Sequence, residues 1–213
     1  MRPRSRPLFL ALAAASLAAA ASVAGCGDGV DVVRPLGEEG LSFRYTGRIS
    51  GEYHSEGTPA LSGSGVPAFG DWAFARADSV GGMLMVGFQP TTAPKGNLFI
   101  LQTTTRGAGE LACAWLASPC HGRFITGVNT QDLSAKPDDW YEVVQGRVTL
   151  AEVSGARVRG TFTLRLVNIA GNDTISVTGG VIDLPFSTDQ SLSNGINCLA
   201  RNLQNGTNEP CAP

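Results

Sequence analysis

The chain reads as an all-β protein, an antiparallel β-sandwich or barrel of about eight strands with one short C-terminal helix. Three observations carry that expectation. Apolar and polar residues alternate with a period of two over several stretches of strand length, which gives each stretch one dry and one wet face. Turn-forming clusters separate these stretches at short intervals, and 27 of the 213 residues are glycine. Helical spacing of apolar residues is confined to the tail. Many short strands with Gly-rich turns and almost no helix argue for a sandwich or barrel.

The clearest strand covers residues 41–54. Leu41, Phe43, Tyr45, Ile49 and Tyr53 share one face, and Ser42, Arg44, Thr46, Glu52 and His54 share the other. Residues 55–70 are small and turn-rich and read as a long loop. Strands are expected over 72–77 and 83–88, and another over 98–103 after the Lys95-Gly96-Asn97 turn. Met83 and Met85 alternate on one face and read as core filler, and Trp72, Phe74 and Phe88 as core or sheet-face residues. A meander follows. Its first strand covers 141–152, and Val153-Ser154-Gly155 turns the chain. In the second, Ala156, Val158, Gly160, Phe162, Leu164 and Leu166 alternate with Arg157, Arg159, Thr161, Thr163 and Arg165. The third places Ile175 and Val177 on one face. Gly179-Gly180 then shifts the apolar phase to Ile182 and Leu184, as a β-bulge would. Ile196, Leu199 and Leu203 predict a short tail helix between Cys198 and Cys211, ended by Asn205-Gly206.

Composition limits the function. With 16 Lys+Arg against 18 Asp+Glu, a net charge of −2 and only 16% charged residues, the chain is no phosphate-driven nucleic-acid binder. At 43% apolar residues it is no fully disordered chain either. These averages mix two materials. Arg2, Arg4 and Arg6 precede an uncharged Ala/Leu run from residue 8 to 24, and small residues Val23-Ala24-Gly25 stand directly before Cys26. Charge, length and cleavage chemistry describe a secretory signal over residues 1–25. Without it the chain is more acidic, which argues further against nucleic acid and against an electrostatic membrane patch.

Val23-Ala24-Gly25-Cys26 also resembles the lipobox of bacterial lipoproteins. The resemblance covers residues 1–26. It implies a diacylglycerol thioether on Cys26, cleavage before that residue and a membrane partner through the anchor. Two or three acyl chains hold firmly where one is marginal. Gly27, in place of the Asp associated with inner-membrane retention, implies an outer-membrane destination on the periplasmic face or at the cell surface. Residues 26–40 then form the lipidated cysteine and a flexible tether, 41–186 the β domain, and 187–213 a disulfide-stapled tail.

A second resemblance rests on Val148-Thr149-Leu150, Arg159-Gly160-Thr161-Phe162 and the run from Ile175 through Gly179-Gly180 to Asp183-Leu184-Pro185. Together these look like the ending of an uncharacterised class of β-rich secreted bacterial lipoproteins, with Ile182 where the class usually has Phe. The resemblance covers roughly residues 140–186 and implies a β-sandwich-like envelope domain, with no activity attached.

With Cys26 lipidated, Cys113, Cys120, Cys198 and Cys211 remain, an even number in an exported protein. Four cysteines allow three connectivities, and proximity favours Cys113–Cys120 and Cys198–Cys211. Cys113, Cys120 and His121 have the wrong spacing for c-type haem and lack the second close ligand pair of a zinc site, so no metal or cofactor is expected.

Catalytic groups are scarce. A Ser/His/Asp set can be drawn from Ser62 or Ser64, His54 and Asp71, which makes a hydrolase around His54 one alternative. No nucleophile elbow accompanies it, however, and Ser/Gly loops usually just turn. No catalytic residue is expected. Asp138, Asp139, Trp140 and Tyr141, with Glu142, are the better candidates, because adjacent acids and aromatics can hold a cation or stack on a sugar. The arginine stripe of Arg157, Arg159 and Arg165 reads as cross-strand pairing with Glu142 or Glu152. Trp115 is expected to pack over the Cys113–Cys120 loop. The expected role is non-catalytic binding or structure in the bacterial cell envelope, with a glycan, a small apolar molecule or a protein as partner.

Overall fold

The computed structural model describes residues 39–59, 69–78, 81–115 and 118–211. The signal, Cys26, most of the tether and the loop serines Ser62 and Ser64 lie outside the described residues. The chain is all-β with a single C-terminal helix. Its strands are β1 (Gly40–Gly47), β2 (Gly51–Ser55), β3 (Trp72–Ala77), β4 (Met83–Pro90), β5 (Lys95–Thr103), β6 (Gly109–Ala114), β7 (Cys120–Asn129), β8 (Asp139–Val153), β9 (Arg157–Asn168) and β10 (Thr174–Ser187), followed by α1 (Gln190–Asn205). Among the described residues, then, ten strands stand where about eight were expected.

All ten belong to one sheet that curls into a ring-like partial barrel. Antiparallel pairs run β3–β4, β4–β5, β5–β7, β7–β8, β8–β9 and β9–β10. A short parallel pairing of Phe186 with Ala75 and Ser187 with Arg76 returns β10 to β3. Long strands serve two neighbours on one edge. β8 pairs with β7 through residues 139–142 and with β6 through 145–150. β10 pairs with β1 up to Asp183 before it reaches β3.

Period-two alternation sorts the side chains into two cores. The inner core holds Phe43, Tyr53, Met83, Met85, Phe99, Phe124, Tyr141, Phe162 and Leu166, among others. The Phe43 and Tyr53 rings stack at 4.7 Å and those of Phe99 and Phe162 at 5.5 Å, so aromatic side chains fill the interior. The alternate residues of β3, β4, β5 and β7 point outward, yet they too are buried. Trp72, Phe74, Val86, Phe88, Leu98 and Ile125 form an outer core with Leu192, Ile196, Leu199 and Leu203 of α1. A helix laid over four strands thus removes from water a sheet face that would otherwise be a large apolar patch.

The meander stands as expected. Val177 faces Leu164 and Gly180 faces Phe162, so the extra residue of the bulge falls at Gly179. Gly179 has φ 59°, a left-handed conformation in which a Cβ is costly. The methionines are core filler, and both proximity disulfides, Cys113–Cys120 and Cys198–Cys211, are formed.

Four expectations need correction. Residues 41–54 form a hairpin, with Phe43 opposite Tyr53 and a turn at 48–50. Their alternation ran through the turn because Leu41, Phe43 and Tyr53 all face the same interior. Residues 109–129, where no strand was expected, supply β6 and β7, whose period is blurred by small residues such as Ala112, Gly122 and Gly127. The helix begins well before Cys198, where the Asp189 carboxylate caps the Ser191 amide at 2.8 Å, and ends as expected at Gly206 with φ 62°. Trp115 is 52% exposed and does not pack down.

Candidate functional site

A cleft of about 550 Å³ opens where the β7–β8 loop, the β9–β10 turn and the last turn of α1 meet. Asp138, Asp139, Trp140 and Glu142 line it, together with Arg48, Arg123, Lys136, Asn168 and Ile169.

Strand register assembles its wall. Arg123 pairs with Glu142 and Ile125 with Trp140 across β7 and β8. Arg123 Nε donates to Glu142 Oε1 at 2.8 Å, and Trp140 Nε1 donates to the same oxygen at 3.0 Å. The guanidinium lies 5.6 Å from the centre of the indole, within cation–π range. The half-buried Trp140 also packs against the outer core, so its ring is held from two sides. Lys95 Nζ lies 2.6 Å from Asp138 Oδ1. The buried Asn168 donates from Nδ2 to Asp139 Oδ1 at 2.8 Å, and the Ile169 amide donates to the Trp140 carbonyl at 3.2 Å. Arg48 pairs with Asp173 at the rim, and the Asp173 carboxylate holds the guanidinium pKa above its ordinary value.

Each of the three cleft carboxylates is thus braced by a protein donor through one oxygen. Oδ2 of Asp138, Oδ2 of Asp139 and Oε2 of Glu142 accept from no protein group among the described residues. Fixed acceptors of this kind, beside a part-exposed indole, suit a ligand that offers several hydroxyl donors and an apolar ring face.

Of the four candidates, the fold brings Asp138, Asp139 and Trp140 to the cleft and turns Tyr141 away. Strand alternation sends Tyr141 into the inner core, where it is fully buried and where burial pushes its phenol above the ordinary tyrosine range. Arg48, Arg123, Asn168 and Ile169 join the cleft without any signal in the local sequence. They come from three separate segments, and no short motif ties them to Trp140.

The remaining candidates lie elsewhere. His54 on β2 stands opposite Ser42, with Nε2 3.3 Å from Glu56 Oε2. Asp71 Oδ1 accepts from the Glu56 amide at 3.0 Å. His121 Nε2 lies 2.9 Å from Gln102 Oε1 on the neighbouring strand. Of the arginine stripe, Arg159 does pair with Glu152, at 3.3 Å. Arg157 and Arg159 also converge on the fully buried Asp183 across the β9–β10 pair, which is cross-strand pairing with another acid, and Glu142 serves Arg123. Among the described residues, no group of three or more His, Cys, Asp or Glu is placed to hold a metal ion.

The chain matches no known family, no curated protein and no solved structure.

Proposed function

We propose that this is an exported, lipid-anchored envelope protein whose β domain binds a hydroxyl-rich ligand, a glycan above all, in the Trp140 cleft and without catalysis. The observation that carries the binding role is the braced indole of Trp140 among three carboxylates with acceptor capacity to spare. A barrel-held apolar ligand is disfavoured by the aromatic side chains that occupy the interior. The anchor rests on Val23-Ala24-Gly25-Cys26 and the preceding cationic and apolar segments.

Two measurements test this reading. The full-length protein is screened on a glycan array, and hits are titrated in solution. Trp140→Ala is expected to weaken binding by up to about tenfold, the loss of one stacked ring. An array without hits, or affinity unchanged in Trp140→Ala, sinks the binding role. For the anchor, a fatty-acid analogue is expected to label the wild type and not Cys26→Ser. A mutant that still takes the label has no lipid on Cys26.

A further inference from the structure

A second pocket, of about 350 Å³, is lined by Arg76, Asp78, Leu84, Arg106, Gln190 and Asn197. It shares no lining residue with the Trp140 cleft, so its ligand is independent of the glycan reading.

Strand alternation explains why Arg76 is unusual. On β3, Trp72 and Phe74 face α1 in the outer core, and Arg76 continues that phase. A guanidinium therefore sits where the pattern calls for an apolar residue, and it is only 8% exposed. It stays charged at any physiological pH, so burial without compensation is costly. The protein compensates it incompletely. Arg76 Nε and Nη2 both donate to the Ala77 carbonyl, at 2.9 and 2.7 Å, and Nη1 is buried with no hydrogen-bond partner among the described residues. Asp78 supports the charge from nearby, but its carboxylate accepts from Gln102 Nε2. Arg106 likewise spends its donors on main chain: Nε on the Gly82 carbonyl at 2.9 Å and Nη2 on that of Asp78 at 3.1 Å. Among the described residues, no carboxylate forms an ion pair with either arginine.

The pocket wall thus holds two guanidinium groups and two carboxamides against one engaged carboxylate. We propose that it binds a small oxyanion, a phosphate, sulfate or carboxylate group, with Arg76 and Arg106 as its cationic partners and Gln190 and Asn197 as neutral donors. The main-chain bonds leave the Nη1 end of the exposed Arg106 to donate to an oxyanion, while the buried Arg76 contributes its charge to the pocket wall.

The test titrates the full-length protein with inorganic phosphate, sulfate or acetate at millimolar concentration, each against chloride at matched ionic strength. Thermal unfolding and calorimetry are the readouts. At least one oxyanion is expected to give a saturable rise in Tm and a binding heat that chloride does not give. Low concentration matters, because excluded salts stabilise any protein without saturating. Which of the three salts responds identifies the group recognised. Arg76→Gln also disturbs packing, so the deciding variants are Arg106→Gln and Asn197→Asp, both at exposed positions. Each is expected to weaken binding by about tenfold or more, as loss of a charge-assisted contact or a new like charge requires. No saturable response to any of the three salts, an equal response to chloride, or affinity unchanged in both variants overturns the proposal.

Discussion

Asp183 shows how one residue on β10 acquires a structural role. Its side chain is fully buried, yet two arginines of β9 reach it: Arg157 through Nε, and Arg159 through Nε at 3.2 Å. Burial alone would raise its pKa. The hydrogen bonds and charges of Arg157 and Arg159 together outweigh that and hold the carboxyl below its ordinary range. A carboxylate with a depressed folded-state pKa contributes stability that is complete above the unfolded value and is lost as pH falls through the folded one. Asp183→Asn is therefore expected to cost about 2 kcal/mol near neutral pH, less than breaking a fully buried pair because both arginines keep some water. The gap between mutant and wild type is expected to shrink below about pH 4. Urea unfolding of both proteins across that range checks it, and a gap independent of pH contradicts the linkage. Arg157 also reaches Glu39 at 3.1 Å, so the same cluster ties down the start of the domain.

At the scale of elements, the tail helix depends on its staple and its caps. α1 carries Leu192, Ile196, Leu199 and Leu203 on one face, and the disulfide joins its Cys198 to Cys211 beyond Gly206. Both cysteines lie in the outer core, and Asn202 Nδ2 donates to the Glu209 carbonyl at 2.8 Å within the same loop. Replacing both cysteines by alanine is expected to cost about 3 kcal/mol from the freed loop entropy alone. Thermal unfolding measures the loss, and a double mutant as stable as the wild type removes the staple from the account. The helix's C-terminal turn also supplies Leu203 and Gln204 to the Trp140 cleft, so loosening it is expected to be felt there.

At the scale of the whole molecule, the barrel is finished by an element that is not a strand. Trp72, Phe74, Val86, Phe88, Leu98 and Ile125 face outward from β3, β4, β5 and β7 and need α1 as a lid. A chain ending after Ser187 keeps every strand but exposes Trp72, Phe74, Val86 and Phe88. It is expected to bind an apolar dye strongly and to self-associate on size-exclusion chromatography. A monomeric, dye-silent truncation would mean the sheet is sufficient without the helix. By contrast, β9 and the first half of β10 have polar outer faces and alternate cleanly between buried and exposed positions.

Legibility in the sequence tracks this division between wet and dry outer faces. Where one face meets water, as in β8, β9 and β10, the two-residue period is visible and the meander, its turns and the Gly179 bulge can be read directly. Where both faces are buried, as along β3 and β4, a strand shows only as a continuous apolar run between turn signals, and β6 and β7 go unrecognised because small residues such as Ala112, Gly122 and Gly127 blur the pattern. The hairpin of β1 and β2 hides for the opposite reason, since both of its strands keep the same interior phase. The disulfides and the Gly206 cap are local, with short spacing and particular residue types, and so were readable. The cleft was half readable. Asp138, Asp139 and Trp140 are neighbours in the chain, whereas Arg123 and Asn168 reach them only through strand register. The all-β class, the turns of the meander, the bulge and the short-range staples are thus readable from local sequence, because each depends on residues a few positions apart, whereas the turn at 48–50 is missed and Lys95-Gly96-Asn97 belongs to β5. Only the tertiary structure decided that the sheet closes through β10 and β3, that a helix covers its second apolar face, and that Trp140 faces a cleft while Tyr141 faces the core. Those outcomes depend on contacts between segments far apart in the chain, to which no local period or motif is sensitive.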